Sequence, residues 1–450
     1  MKQGMIKDMT SGTPWKQIIV FALPLMFGNV FQQLYTVMDS IIVGQGIGVS
    51  ALAALGAADW FNWLVLGLAQ GFTQGFSILI AQQFGARAFE KMRQTVGVSI
   101  ILSGIMAVVF TVLMQAIAWP VLQFLNTPDH IIGDSLAYLR VSFSGLIVVM
   151  AYNMLASILR ALGDGRTPLI AMIIAAMINV GLDILFVMGF KMGVASAAAA
   201  TVIAQIFSAV YCFLAVRKIQ ILRLNRESFK VSGQLVKKLM FLGVPMAFQN
   251  VIIAIGGMVI QSVINGFGML FVAGFTATNK LYGLLEVAAT SFGFSMTTYT
   301  GQNLGAGQYK RISRGMRAGL AMAFLTSEVI AVVMMIFGRR ILGLFISGSP
   351  QEVAAVTDIA YHYLFIMSAL LFVLYILHIV RSTIQGMGDT MIPMASGVME
   401  MLMRVGVVML MPMFFGQESV YYAEVAAWFG ADVLLVSAYI YKMRRLESGK

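Results

Sequence analysis

Long uninterrupted apolar stretches constrain this chain more than any other feature. ATVIAQIFSAVYCFLAV at 200–216 and AMAFLTSEVIAVVMMIF at 321–337 are two of many. Each approaches the roughly 20 residues that carry an α-helix across a bilayer. Hydrophobic residues make up 59% of the sequence and charged residues 11%, against about 45–50% and about 25% in soluble domains. So few charges cannot clothe a water-soluble protein of this length. A transmembrane β-barrel would show alternating segments of roughly ten residues. Continuous runs instead predict helices, which satisfy their backbone hydrogen bonds internally, as lipid requires. The expected fold class is an all-α integral membrane protein.

At roughly 37 residues per span and loop, 450 residues hold about twelve spans. They are read at 15–43, 51–80, 94–118, 134–160, 168–188, 194–216, 236–264, 271–302, 316–337, 356–384, 393–413 and 420–442. With this count most of the 30 Lys and Arg fall in the even-numbered loops and the two tails. Lys2, Arg87, Lys91, Arg93, Arg217, Lys218, Lys310, Arg311, Arg381, Arg444, Arg445 and Lys450 belong to this set. Arg140, Lys191, Arg339 and Arg340 fall on the other side. The asymmetry predicts a multi-pass protein of the cell membrane with both termini in the cytoplasm. The first apolar run is too long for a signal peptide and lacks a small-residue cleavage site. Cys212 is the one cysteine, so no intrachain disulfide forms.

The chain repeats itself. ILRALGDGRTPL (158–169) matches TIQGMGDTMIPM (383–394), aligning Gly163, Asp164 and Pro168 with Gly388, Asp389 and Pro393. QQFGARAFEKM (82–92) matches QNLGAGQYKRI (302–312), and the segment around Pro24 matches that around Pro245. Two six-span halves follow: an N-lobe at 1–222, a basic cytoplasmic linker at 223–235 and a C-lobe at 236–450. An even number of spans gives both halves one orientation, so the pseudo-two-fold axis is expected along the membrane normal.

Several of these segments together are similar to one family. LPLMFGNVFQQLYTVMDSIIVG (23–44), AQQFGARAFEKMRQ (81–94), ILRALGDGRTP (158–168) and TGQNLGAGQYKRISRG (300–315) resemble the multidrug and toxic compound extrusion (MATE) transporters. The resemblance covers nearly the whole chain. It implies two six-helix lobes facing a central cleft. It also implies secondary active efflux of organic, cationic and amphiphilic small molecules in exchange for H⁺ or Na⁺.

An ionisable residue at mid-bilayer costs about 2.5–3.5 kcal/mol on insertion scales, so each one asks for a reason. Asp39 on span 1 and Asp183 on span 5 lie about 6–8 Å inside the outer ends of their helices. Tyr35 and Asn179 stand one turn deeper on the same faces. Thr201 on span 6 lies about 10 Å in. Oxygen ligands at one depth suit Na⁺, and neighbouring carboxylates can share a proton. The family resemblance implies the same set. Members with an amino-lobe site of the DinF-like type use an Asp on span 1, an Asn-x-x-x-Asp pair on span 5 and a threonine on span 6. These match Asp39, Asn179, Asp183 and Thr201, which are the candidate Na⁺ or proton ligands.

The second half does not copy the site. It has Ile260 or Gln261 for Asp39, Arg404 for Asn179 and Val408 for Asp183. Another branch of the family places carboxylates on spans 7 and 10. Span 7 has none within the bilayer, and span 10 has only Asp358 near its outer end. The C-lobe instead carries Lys280, Glu286, Glu400 and Arg404, with Glu400 and Arg404 spaced to pair along one helix. Asp59 and Lys280 lie at matching depth on spans 2 and 8, roughly 13 Å from their outer ends. They are expected to approach each other across the lobe boundary and bias opening. Pro24, within span 1, removes a backbone hydrogen bond and favours a kink that could couple Asp39 to bending.

Other signals point away from catalysis. Gly44, Gly46 and Gly48 follow no strand, and the sequence has no GxxxxGK[ST] phosphate loop. His130, His362 and His378 lack metal-ligand spacing. The protein is therefore not expected to be an enzyme and needs no cofactor beyond its coupling ion. Membrane lipids and a small-molecule substrate are its expected partners. Nucleic acid is not, and the chain is expected to act as a monomer. A lipid-linked oligosaccharide flippase of related architecture is the alternative, although it would want a more basic cleft.

Overall fold

The repeated Gly-Asp motif is a helix-to-helix turn. In the computed structural model, Gly163 and Gly388 take the left-handed backbone, with φ of 80° and 86°, where a side chain would be strained. The aspartate that follows caps the next helix. Asp164 Oδ1 accepts from the backbone N–H groups of Arg166 and Thr167, both at 3.0 Å. Asp389 Oδ1 accepts from Met391 and Ile392 at 3.1 and 3.2 Å. Pro168 and Pro393 then fall in the first turn, where the missing N–H costs nothing. The repeat in the letters is thus a repeat in hydrogen bonding.

The structure describes residues 6–125, 127–343, 346 and 349–448; Lys2 and Lys450, among the basic residues used for topology, lie outside them. Among the described residues the secondary structure is helical throughout. The first half runs α1 Pro14–Gly46, α2 Val49–Gly85, α3 Phe89–Phe124, α4 Asp129–Ser144, α5 Leu146–Ala161, α6 Arg166–Asp183 and α7 Ala195–Lys218. The second runs α8 Gly233–Ile264, α9 Met269–Gly305, α10 Tyr309–Gly343, α11 Pro350–Ala369, α12 Leu371–Gly386, α13 Met391–Leu410, the short α14 Pro412–Phe415 and α15 Ala423–Glu447. The pairs α4–α5 and α11–α12 are single spans bent by 47° and 51°. Both breaks fall at one repeat position, Gly145 and Leu370. Among the described residues, nine helices and these two bent pairs are long and apolar enough to cross a membrane. The twelfth spanning element, α9, is equally long but more polar, because it carries Lys280 and Glu286.

Many large apolar side chains are exposed, as expected where the surrounding medium is lipid rather than water. Leu325, Val329, Val332 and Ile336 form an exposed stripe along α10, and Ile105, Val108, Val109 and Val112 do so on α3.

By packing, the chain divides into residues 6–10 with 23–248 and residues 11–22 with 249–448. Helix α1 gives residues 14–22 to the second unit, and α8 gives 233–248 to the first. The divisions fall beside Pro24 and Pro245, and each helix runs unbroken through its proline.

In the first unit α2 crosses α8 at close range. A Cβ built on Gly71 would lie 2.4 Å from the Ala247 backbone, and one on Gly75 would lie 2.5 Å from Gly243. Small residues at this spacing let membrane helices touch backbone to backbone. In the second unit, Ser295 Oγ donates to the Ile18 carbonyl at 3.0 Å. Arg311 donates to the carbonyls of Gly12 and Ser11 at 2.7 and 3.1 Å. Those bonds fix 11–22 in that unit.

Candidate functional site

Three helices of the first unit build the site. Asp183 is the last α-helical residue of α6, and the chain continues as a wider π-helical turn, Ile184–Gly189. Such turns disturb the regular hydrogen-bond ladder and recur at functional sites. Asp183 is wholly enclosed and Asn179, one turn back, is 1% exposed. Asn179 Nδ2 donates to Thr201 Oγ1 of α7 at 3.2 Å. Asp39 of α1 is half-buried and lies near Asp183, so that the two carboxyl groups act on each other electrostatically.

The electrostatics are one-sided. Among the described residues, no N–H or O–H reaches Asp39 Oδ1, Asn179 Oδ1 or either carboxylate oxygen of Asp183. All four are enclosed acceptors. Burying an acceptor without a donor costs free energy, and burying a lone charge costs much more. Asp59 of α2 adds a third acid within electrostatic range of Asp39, and Tyr138 of α4 lies near both.

A cavity of about 40 Å³ opens beside these residues, with room for water-sized guests. Tyr35, Asn179 and Thr201 line it, together with Gln32, Tyr152 and Gln205. Gln205 Oε1 is one more enclosed acceptor with no donor among the described residues. The sequence reading did not include Gln32, Tyr152 or Gln205. Two of them had a signal: Gln32, Tyr35 and Asp39 follow helical spacing on α1, as Thr201 and Gln205 do on α7.

The remaining candidates scatter. Pro24 lies half-buried in α1. Asp59 belongs to the first unit and Lys280 to the second, and both side chains are exposed. The second unit gathers the other charges into a buried cluster. Arg404 Nη2 and Glu400 Oε2 stand 3.6 Å apart, the pairing that their spacing predicts. Each has a closer partner that the spacing could not reveal. Arg404 binds Glu424 of α15 at 2.8 and 3.0 Å, while Glu400 pairs with Arg381 of α12. Glu286 of α9 stands 3.3 Å from His378 Nε2. Arg381 corrects the topology count. It is 6% exposed, inside α12, and its charge answers Glu400 rather than marking a loop. Asp358 is exposed and pairs with Arg339 at 2.7 Å.

The comparisons with known proteins agree with this architecture. The MatE family profile matches the chain twice, over residues 24–185 and 245–410, once in each half. The probable multidrug resistance protein YpnP of Bacillus subtilis is 30% identical over 350 residues, covering 77% of this chain and 78% of its own. YoeA of the same organism, also described as a probable multidrug resistance protein, is 27% identical over 341 residues and 74% of each chain. A solved structure of a multidrug resistance MATE family transporter of the MOP superfamily, in its outward-facing conformation, superposes with a TM-score of 0.91. It is 23% identical and covers 99% of both chains. A doubled profile match spanning most of the sequence, on a twelve-span helical fold, places this chain in the MatE family of multi-pass membrane transporters.

Proposed function

We propose that the protein is a secondary active efflux transporter that exports organic cationic amphiphiles in exchange for H⁺ or Na⁺. The observation that carries this reading is the set of enclosed oxygens at Asp39, Asn179 and Asp183, which have no donor among the described residues. Enclosed acceptor oxygens that lack a donor are completed by a cation. A proton satisfies it by bridging Asp39 and Asp183. Na⁺ satisfies it through oxygens of Asp39, Asn179, Asp183 and Thr201, the hard ligands that such an ion prefers. The relatives described as multidrug resistance proteins support a small organic substrate.

Coupling requires that the ion favour one conformation over the other. Loading from outside neutralises the buried acids of the first lobe. The π-helical turn after Asp183 gives that end of α6 a backbone able to change register. Release of substrate outward and of the ion inward then follow by alternating access. Orientation with both termini in the cytoplasm belongs to this reading, as does action as a monomer.

The test is efflux of a cationic dye from proteoliposomes under separate proton and sodium gradients. Asp39→Asn and Asp183→Asn are expected to abolish gradient-driven transport while protein remains in the membrane. Full transport in both variants would reject the site.

A further inference from the structure

The buried cluster of the second unit contains more acid than base. Arg381 and Arg404 face four carboxylates, those of Glu286, Glu400, Glu424 and Asp432. The direct ion pairs use Glu400, held by both arginines, and Glu424, held by Arg404. Glu286 has His378, which carries charge only when protonated. Asp432 of α15 is 8% exposed, and its Oδ1 has no hydrogen-bond partner among the described residues. Arg381 and Glu400 both act on it electrostatically, so the carboxyl group faces the cluster.

A sequence counterpart in the first unit lines the cavity there. The offset that aligns Arg217 and Lys218 with Arg444 and Arg445 puts Asp432 opposite Gln205 and Trp428 opposite Thr201. Both Gln205 Oε1 and Asp432 Oδ1 are enclosed acceptors without donors. A metal ion does not suit the second position. Arg381 and Arg404 already supply fixed positive charge there, and among the described residues no three His, Cys, Asp or Glu side chains could hold a metal. A proton suits it better: it needs no further ligands, and an enclosed carboxyl group without a donor is less costly to bury neutral than charged, which outweighs the opposing field of Arg381.

We propose that the second unit binds protons of its own at Asp432 and at the neighbouring Glu286–His378 pair, independently of the oxygen site in the first unit.

The surroundings of both groups are defined. Around Asp432, α12 brings Arg381 and α13 brings Glu400; Glu424, two turns earlier on α15, is held by Arg404. From α10, Arg317 acts on Tyr439, two turns further along α15, and Glu418 before α15 acts on Tyr421. Around Glu286, α12 brings His378 and Arg381, and α13 brings Arg404. From α11, His362 stacks on Tyr421 and Asp358 is taken by Arg339 of α10. Helix α10 also carries Glu328, which is half-buried.

Trp428 supplies the readout. It is wholly buried, lies one helical turn from both Glu424 and Asp432, and stacks on Tyr282 at 6.1 Å. The experiment uses the full chain in lipid nanodiscs, with Trp15, Trp60, Trp63 and Trp119 replaced by Phe so that Trp428 alone fluoresces. Between about pH 4 and 9, the range where carboxyl and imidazole groups titrate in proteins, its emission is expected to change in a titration step. The step is expected to disappear in Asp432→Asn, to move in His378→Gln and Glu286→Gln, and to persist in Asp39→Asn and Asp183→Asn. A flat profile, or a step unchanged by Asp432→Asn, overturns the proposal. So does a step that vanishes with Asp183→Asn, since it would then report the first unit. If Asp432→Asn does not yield monodisperse protein, the other two second-unit variants decide, and a step unmoved by both overturns the proposal. Loss of dye efflux in the Asp39 and Asp183 variants is a separate outcome and bears only on the first unit.

Discussion

Arg404 stands at the position of Asn179 in the other half, 225 residues later, the spacing that also separates Asp389 from Asp164. In the first unit this place on the helix holds an amide bonded to Thr201 at 3.2 Å. In the second it holds a guanidinium bonded to Glu424 at 2.8 Å. One half therefore has a neutral amide beside buried acids where the other has a covalently tethered cation.

Removing that tethered charge should be severe. Arg404→Met leaves Glu424 and part of Glu400 unanswered, and breaking a buried pair on one side costs about 3–5 kcal/mol. The double variant Arg404→Met with Glu424→Leu should recover much of the loss, because no isolated charge remains at that pair. Thermal unfolding in detergent compares the two. Equal midpoints for single and double variants would show that the pair is not what holds α13 to α15.

Thr201 and Asp183 should separate in their effects. Thr201 takes one hydrogen bond from Asn179 and offers one oxygen, whereas Asp183 contributes an enclosed carboxyl group whose two oxygens have no donor among the described residues. Thr201→Ala is expected to weaken ion dependence by roughly tenfold, about the worth of one hydrogen bond, with transport retained. Asp183→Asn should leave no ion dependence. Dye efflux titrated against Na⁺ and against pH measures both.

The α2–α8 crossing should tolerate nothing larger than glycine at Gly75. A methyl group there would meet the Gly243 backbone at 2.5 Å, and backbone cannot swing aside as a side chain can. Gly75→Ala is expected to cost about 1–3 kcal/mol. Gly56→Ala on the same helix, where nothing lies within 4 Å, serves as the control and should be near neutral. Retention of full stability in Gly75→Ala, read by thermal denaturation, would contradict the close crossing.

Gly307 isolates a purely conformational effect. Its φ is 69°, yet no atom lies within 4 Å of a Cβ built on it. Gly307→Ala should therefore cost about 1 kcal/mol through backbone strain alone. Arg87, its repeat counterpart, has φ of 54° and bears the same strain natively. Arg87→Gly should accordingly stabilise, and opposite shifts in melting midpoint check the pair.

Spans were legible because lipid imposes one rule on every helix, a length of apolar residues. The first-unit site was legible for a related reason: Asp39, Asn179 and Asp183 are costly in a bilayer and therefore conspicuous. Gln32, Tyr152 and Gln205 carry no charge and are cheap enough to occur anywhere, so they came forward only when folding placed them around one cavity. Arg381 misled because it lies close to the end of its span and so was counted with the loop, whereas it stands inside α12 and pairs with Glu400 of another helix. Glu400 and Arg404 could be paired by helical spacing. Their nearer partners, Arg381 and Glu424, lie on other helices, and no local period encodes that.

The exchange of helix ends limits how the molecule can be taken apart. A fragment ending in the basic segment after α7 would lack residues 233–248, and with them the Gly243 and Ala247 surface against which Gly71 and Gly75 pack. A fragment beginning at 233 would lack 11–22, and Ser295 and Arg311 would lose the carbonyls they bind. The gene halves are thus not the assembly halves. Duplication made two similar sequences, but neither can complete its own wall without a length of helix encoded by the other.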